Sequence, residues 1–214
     1  MPSIVAITAP GEVRVLDEPD PPLAAAEVRV RTLYSGISAG TELSIYRGTS
    51  PHLSRRWDAG SRLFLDGAVD LGYPVTALGY EEVGEVIERG ADATALEIGD
   101  RIWGTWGHRS STVLPVDVAL EHVLDPLADP RIGMFSHIGA VALNAVLDAD
   151  IHVGETVAVF GLGVPGQLVA QLARLNGATV VAIDGLADRR DLAHRLGAPL
   201  VLDPADGPAA ERIR

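Results

Sequence analysis

The chain has 214 residues, 29 of them acidic and 17 basic, which leaves a formal net charge of −12. That balance argues against nucleic acid and anionic membranes, because a polyanion surface needs clustered Lys and Arg, and the densest basic spots are the pairs Arg55-Arg56 and Arg189-Arg190. An apolar fraction of 47% supports a folded globular chain, and the absence of cysteine excludes disulfides, a thiolate nucleophile and Cys-ligated zinc.

The opening Met1-Pro2-Ser3 lacks a basic run and is followed by a short apolar stretch, Ile4 to Ile7, so it does not read as a secretory signal. No run approaches the roughly 18 apolar residues of a membrane span, and a cytoplasmic protein is the expectation.

Period-two alternation predicts strands at Ile4–Ile7, Glu12–Leu16 and Glu27–Leu33. Glu18-Pro19-Asp20-Pro21-Pro22 must be a connection, since proline cannot donate to a sheet ladder. The stretch from Tyr46 to Pro74 is rich in glycine and has no clear period, which reads as a long loop of the kind used as a lid or binding element. Val83–Ile87 and Arg101–Gly104 are further strands, and short strands punctuated by Gly and Pro predict a small barrel. From about residue 130 the period changes to a helical one over 132–148. Thr156–Phe160 and Thr179–Ile183 are continuous apolar runs, as expected for parallel strands covered on both faces. Helices are predicted at Gln167–Asn176 and Ala187–Leu196, each ended by a glycine, with a third short strand at Pro199–Leu202. The expected domains are residues 1–132 and 133–214.

Gly161-Leu162-Gly163-Val164-Pro165-Gly166 lies between a predicted strand and a predicted helix, and Asp184 ends the next strand. In this context Gly161 permits a tight turn, Gly163 lets the backbone approach a pyrophosphate, and Gly166 lets helix and strand pack closely. The helix start, at Val164 and Pro165, offers free N–H groups and the positive end of the helix dipole. Asp184 is expected to bond the adenosine ribose and to repel a 2′-phosphate, favouring NAD over NADP. Arg189 and Arg190 keep the NADP alternative open.

Ala9-Pro10-Gly11-Glu12-Val13, Ser35-Gly36-Ile37-Ser38-Ala39-Gly40-Thr41-Glu42-Leu43, Leu78-Gly79-Tyr80-Glu81, Ile98-Gly99-Asp100-Arg101 and the glycine loop follow one another in order. With these motifs the chain resembles the medium-chain dehydrogenase/reductase superfamily over nearly its whole length. The Ser-Gly-Ile-Ser and Gly-Tyr-Glu variants resemble the branch that includes bacteriochlorophyllide dehydrogenases. The resemblance implies an α/β chain with a GroES-like β-barrel followed by a Rossmann domain, and NAD-dependent hydride transfer between an alcohol and a carbonyl. Reduction of an enoyl or quinone double bond, or a non-catalytic nucleotide-binding role, are the alternatives. A small-molecule substrate and, for a complete chain, a homodimer are expected. Only the first half of the dinucleotide fold is read after residue 155, so the chain is expected to stop after the third strand of that domain, with Val157–Phe160 as an apolar edge.

The resemblance also implies what is replaced. Zinc-dependent relatives place a Cys at Ser38, a His at Tyr80 and commonly a Cys near Ser136, so a zinc-free site is expected; the alternative is a rearranged site of Glu81, His108 and His137. Tyr80 is then the first candidate acid, with Thr41 as hydroxyl relay, Glu81 as the retained carboxylate and His137 as a possible cleft residue. A core tyrosine bonded to a neighbour such as Glu81 is the competing reading of Tyr80, and a helix-end or surface histidine that of His108 and His137. Glu42 is read as orienting its motif. Trp57, Trp103 and Trp106 are read either as a pocket wall or as core packing.

Overall fold

The structure is a computed structural model, and it describes residues 1–69 and 71–213. The chain forms two compact units, Met1–Ser136 and His137–Arg214.

In the first unit β1 (Ser3–Ala9) and β2 (Glu12–Asp17) form an antiparallel hairpin turning at Gly11, whose φ of +79° suits glycine. β3 (Glu27–Ser35) is the centre of the unit's main sheet. It is followed by α1 (Thr41–Tyr46), a 3-10 turn at Pro51–Leu53 and a small hairpin of β4 (Arg56–Asp58) and β5 (Leu63–Leu65). Then come β6 (Glu82–Arg89), β7 (Arg101–Gly104), β8 (Ser111–Pro115) and α2 (Val116–Leu120). The main sheet is antiparallel in the order β7-β6-β3-β8. Its inward residues Val28, Val30, Val86 and Ile102 are fully buried, together with Leu96 and Ala119. The segment before β8 is clamped to β1, because Val5 N–H donates to His108 O (2.9 Å) and Ser110 N–H to Ser3 O (2.8 Å). A second core, of Ile7, Ile45, Val75 and Leu78, fastens α1 to β1.

The register of the sheet matters for the site. Ser35 at the end of β3 lies opposite Glu82 at the start of β6, and Glu82 lies opposite Gly104 of β7. A carboxylate therefore starts the inner strand where cross-strand neighbours are closest.

A 3-10 turn ending at Phe135, at the end of the first unit, leads into α3 (Ser136–Asp148), with which the second unit begins. β9 (Thr156–Phe160), α4 (Val164–Leu175), β10 (Thr179–Ile183), α5 (Ala187–Arg195), β11 (Leu200–Leu202) and α6 (Ala209–Arg212) follow. The three strands are parallel in the order β11-β10-β9, the arrangement expected of two successive βαβ crossovers. Val180, Val181, Ala182 and Ile183 of the middle strand are all buried, as a strand covered on both faces requires. β9 and β11 are the edge strands of this sheet, and Phe160 of β9 is exposed.

Two differences from the sequence reading have local causes. The stretch from Tyr46 to Pro74 is not an uninterrupted loop: it holds the β4–β5 hairpin, whose three-residue strands are too short to show a period. Trp103 and Trp106 serve packing. Trp106 lies against the main core and donates its indole N–H to Thr32 Oγ1 (3.0 Å), while Trp103 stacks edgewise on His122.

The glycines of the loop differ in what surrounds them. A Cβ on Gly166 would stand 1.8 Å from Gly161 O, whereas one on Gly163 would meet nothing within 4 Å. Gly166→Ala is expected to destabilise the second unit by at least about 3 kcal/mol, the upper part of the overpacking range. Gly163→Ala, at a helix N-cap with an ordinary φ, should stay within about 1 kcal/mol of the parent. Urea unfolding of both variants checks this.

Candidate functional site

The first unit brings a group of hydroxyls together at the motifs flagged by the sequence. Tyr80, half-buried just before β6, donates its hydroxyl to Ser38 Oγ (2.5 Å), and Thr41 Oγ1 lies 3.5 Å from Tyr80 Oη. Thr41 is exposed at the start of α1. Glu81 folds over Gly36: its backbone oxygen accepts the Gly36 N–H (2.8 Å), and a Cβ on Gly36 would stand 2.6 Å from Glu81 Oε2. His137 is exposed on α3 and belongs to the second unit.

Behind the hydroxyls lies a buried ionisable network. Glu42 is 6% exposed and Glu82 fully buried, and His108 stands between them. His108 Nε2 is 2.5 Å from Glu42 Oε2, and Nδ1 is 2.5 Å from Ser35 Oγ, which in turn donates to Glu82 Oε1 (3.0 Å). Each carboxylate also takes a backbone donor: Glu42 Oε1 accepts the Ser38 N–H (2.8 Å), and Glu82 Oε2 the Gly107 N–H (3.1 Å). Gly79 lets the network close, since it has a φ of +91° and a Cβ there would come within 2.5 Å of Glu82 Oε1 and 2.9 Å of the His108 ring. His108 is therefore a half-buried, doubly bonded residue and not the surface histidine that its neighbours in sequence imply. Its main partner, Glu42, is 66 positions away.

The electrostatics follow from burial and contact. The hydrogen bond to Glu42 raises the His108 pKa; burial opposes this, and the charges of Glu42, Glu82 and Glu81 add to the rise. Burial pushes Glu82 up, against the Gly107 N–H, the Ser35 hydroxyl and the His108 charge.

In the second unit, Gly161 takes a φ of +86° and its N–H donates to Ile183 O (2.8 Å), which ties the loop to the end of β10. The first-turn N–H groups of Val164 and Gly166 have no intrahelical acceptor, and Pro165 at the second position removes a donor that would be idle in any case. Gln167 was not singled out from sequence. It is buried and its side-chain amide donates to Leu162 O (3.3 Å) and Arg189 O (2.8 Å), bracing the loop from below. The signal available was its polar character within an apolar helical stripe.

Asp184 has a different position from a freely presented ribose acceptor. Its Oδ2 accepts the Leu162 N–H (2.6 Å) and its Oδ1 the Leu186 N–H (2.8 Å), with Arg189 Nη1 at 3.5 Å. Burial alone would raise this carboxyl, but those donors together hold it below its ordinary value. Arg190 donates to Asp184 O (2.7 Å) and pairs with Asp203 (2.9 Å), while Arg189 is half exposed. A groove of about 540 Å³ runs along β9 and the loop, lined in part by Phe160, Gly161, Gly163 and Pro165.

The glycine loop thus joins a parallel strand to the start of a helix. No protein-family model matches the chain. It is 30% identical over 215 residues to a D-guloside 3-dehydrogenase from Shigella flexneri, covering 97% of this chain and 61% of that protein. It is 26% identical to (R,R)-butanediol dehydrogenase from Bacillus subtilis, covering 91% and 61%. Among solved structures it matches a dehydrogenase from Sinorhizobium meliloti 1021, named for zinc binding and bound to NADP, at 26% identity and a TM-score of 0.72 over 99% of this chain and 64% of that one. These likenesses support the medium-chain dehydrogenase/reductase superfamily, and the chain spans about three fifths of the length of the curated relatives it matches. No helix among the described residues is long and apolar enough to cross a membrane.

The raised values of His108 and Glu82 have the same consequence for stability. The folded unit holds both protons more tightly than the unfolded chain does, so their contribution is complete below the ordinary values of 4.5 and 6.5 and is lost as pH rises through each raised folded value. Stability measured by urea between pH 5 and 9 (a range set about the ordinary histidine value) should fall as pH rises, and His108→Gln should flatten the upper part of the fall.

Proposed function

We propose that this chain forms the barrel and the first nucleotide-binding half of a zinc-independent, NAD-preferring oxidoreductase that interconverts a secondary alcohol and a ketone. Closure of the first unit's strands into a GroES-like barrel belongs to this proposal. The observation that carries it is the glycine loop: a Cβ-sized opening at Gly163, at a helix start, with the loop fixed from β10 by Asp184. That is a cradle for a pyrophosphate, where anions meet free N–H groups. The groups that would hold the dinucleotide are the N–H groups around Gly163, Val164 and Gly166, with Asp184 and Arg189 toward the ribose. When bound, it supplies the hydride acceptor or donor.

The zinc donor set does not fit. Serine and tyrosine stand where the zinc-type pattern has thiolate and imidazole, and these hydroxyls bond each other. Among the described residues no three His, Cys, Asp or Glu side chains form a group able to hold a metal ion. The rearranged set fails at His108, both of whose ring nitrogens are engaged by Glu42 and Ser35. No step is therefore assigned to a metal.

The protein's own groups supply the acid–base chemistry. Tyr80 Oη exchanges the proton of the substrate oxygen, Ser38 Oγ accepts a hydrogen bond from it, and Thr41 Oγ1 relays toward solvent. The relatives' names point to a polyol or sugar alcohol as the substrate class. Oxidation of such alcohols with NAD, assayed by NADH formation, tests the reading. Activity should survive chelation and Tyr80→Phe should lower kcat by roughly 10² or more; stoichiometric zinc bound at Glu81 or an unaffected Tyr80→Phe enzyme would contradict it.

Cofactor choice gives a separate prediction. The Asp184 carboxylate would face a 2′-phosphate with like charge, so NAD should bind at least about tenfold tighter than NADP. Because Asp184 also holds the Leu162 N–H, Asp184→Ala is expected to weaken both cofactors, and not NAD alone. Gly163→Val should abolish binding of both while leaving the fold intact. Calorimetric titration of each variant with each cofactor checks these outcomes.

A further inference from the structure

The buried network raises a question of charge that the hydroxyls alone do not answer. Two carboxylates, Glu42 and Glu82, are removed from water on either side of one imidazole whose own side chain is 10% exposed. Neither is tolerated as an uncompensated buried anion, so each needs a donor or a cation beside it. Glu42 comes from α1 and Glu82 from β6, which also brings up Glu81 at its approach; Ser35 ends β3. The neighbouring cation, Arg109, is paired with Glu18 (3.1 Å).

An imidazolium satisfies all of these contacts at once with both carboxylates ionised. An imidazolium donates from Nε2 to Glu42 and from Nδ1 to Ser35 Oγ, which leaves the Ser35 hydroxyl proton for Glu82. A neutral ring protonated at Nε2 would need that same proton at Nδ1 and would leave Glu82 Oε1 to supply its own, and one protonated at Nδ1 would need a proton on Glu42. The backbone of His108 is fixed on both sides independently of the ring, through Leu78 O (2.8 Å) and the Val5 N–H (2.9 Å). The ring therefore has a set place from which to hold Glu42. Glu42 Oε1 in turn accepts the Ser38 N–H, and Ser38 Oγ accepts the Tyr80 hydroxyl. The Ser38 amide does not pass a proton, so the link is one of placement and field.

We infer that His108 is the positioning residue of the Tyr80 site: as an imidazolium anchored to Ser35 and Glu82, it holds the Glu42 carboxylate that fixes the Ser38 loop beneath the Tyr80 hydroxyl. This inference rests on the reading of Tyr80 as the proton-exchanging group, and it adds a requirement to it. A residue 28 positions from Tyr80 in sequence, with no substrate contact, sets where the reactive hydroxyl stands.

Two amide substitutions separate the contacts of the ring. Glutamine places an N–H near the Nε2 position and asparagine near Nδ1, so His108→Gln keeps a donor for Glu42 and His108→Asn keeps only the one for Ser35. The experiment compares kcat, KM and the pH profile of kcat for both variants, together with the Ser38 amide proton resonance. His108→Asn is expected to lose at least about tenfold in kcat with KM little changed, as for a lost charge-assisted bond, and to shift the Ser38 amide upfield. His108→Gln should recover most of both. Equal kcat losses in the two variants, or a Ser38 amide that stays in place in His108→Asn, would overturn the inference. Should His108→Asn fail to fold, nitrogen-15 spectra of the wild-type ring decide: two bound ring protons at neutral pH (near the ordinary histidine value) support the arrangement, and a neutral tautomer overturns it. Loss of the Tyr80 reading would show separately, as an unaffected Tyr80→Phe enzyme, because the resonance measurements need no turnover.

Discussion

Buried carboxylates that accept backbone N–H groups hold both the Ser38 loop and the glycine loop of this chain. Glu42 takes the Ser38 N–H, Glu82 the Gly107 N–H, and Asp184 the N–H groups of Leu162 and Leu186. A charged acceptor makes a short, strong bond to an amide, and a loop held in this way is fixed in the orientation of its peptide planes. The cost is that each acceptor must lose water, which is tolerable only if its remaining lone pairs are also satisfied. Ser35 and His108 meet that condition in the first unit, and Arg189 contributes to it in the second.

Glycine is the second half of the same constraint. For a carboxylate to reach an amide inside a packed unit, the intervening backbone must carry no Cβ. Gly36 and Gly79 border Glu81, Glu82 and His108 at distances a side chain would occupy, and Gly107 takes a φ of +84° with Leu78 O 2.6 Å from a Cβ position. Gly166 does the same for α4 against the loop. Gly163 differs, since its Cβ position is open. In that motif one glycine is required by packing and the other faces open space, so the pattern that looks uniform in sequence divides in its surroundings.

The parts of the structure legible in sequence are those with a short period. The parallel strands β9 and β10 and the helix between them are continuous apolar runs and an apolar stripe, and the glycine loop lies where they meet. The alternation of β1 and β3 was equally plain. β8 was missed because Ser111–Pro115 is short and begins with two hydroxyl residues, and α2 because it is a single turn and a half after it. The motif residues Ser38, Thr41, Tyr80 and Glu81 were visible through family resemblance, and the structure places the first two within hydrogen-bonding reach of Tyr80. The role of His108 was hidden for a physical reason: its partners Ser35, Glu42 and Glu82 come from three separate elements, and pairing across a sheet register or a helix start leaves no periodic trace at the histidine itself. Asp184 was found by its position after β10, but its bond to Leu162 depends on the parallel pairing that brings the ends of β9 and β10 level.

Hydrogen exchange of individual amides tests this account most directly. If the carboxylates hold the loops, the N–H groups of Ser38, Gly107 and Leu162 exchange only when their whole unit unfolds, with protection equal to that of the buried strands β6 and β10. Exchange of those three amides at the rate of open loop positions, in a protein whose strands remain protected, would contradict it.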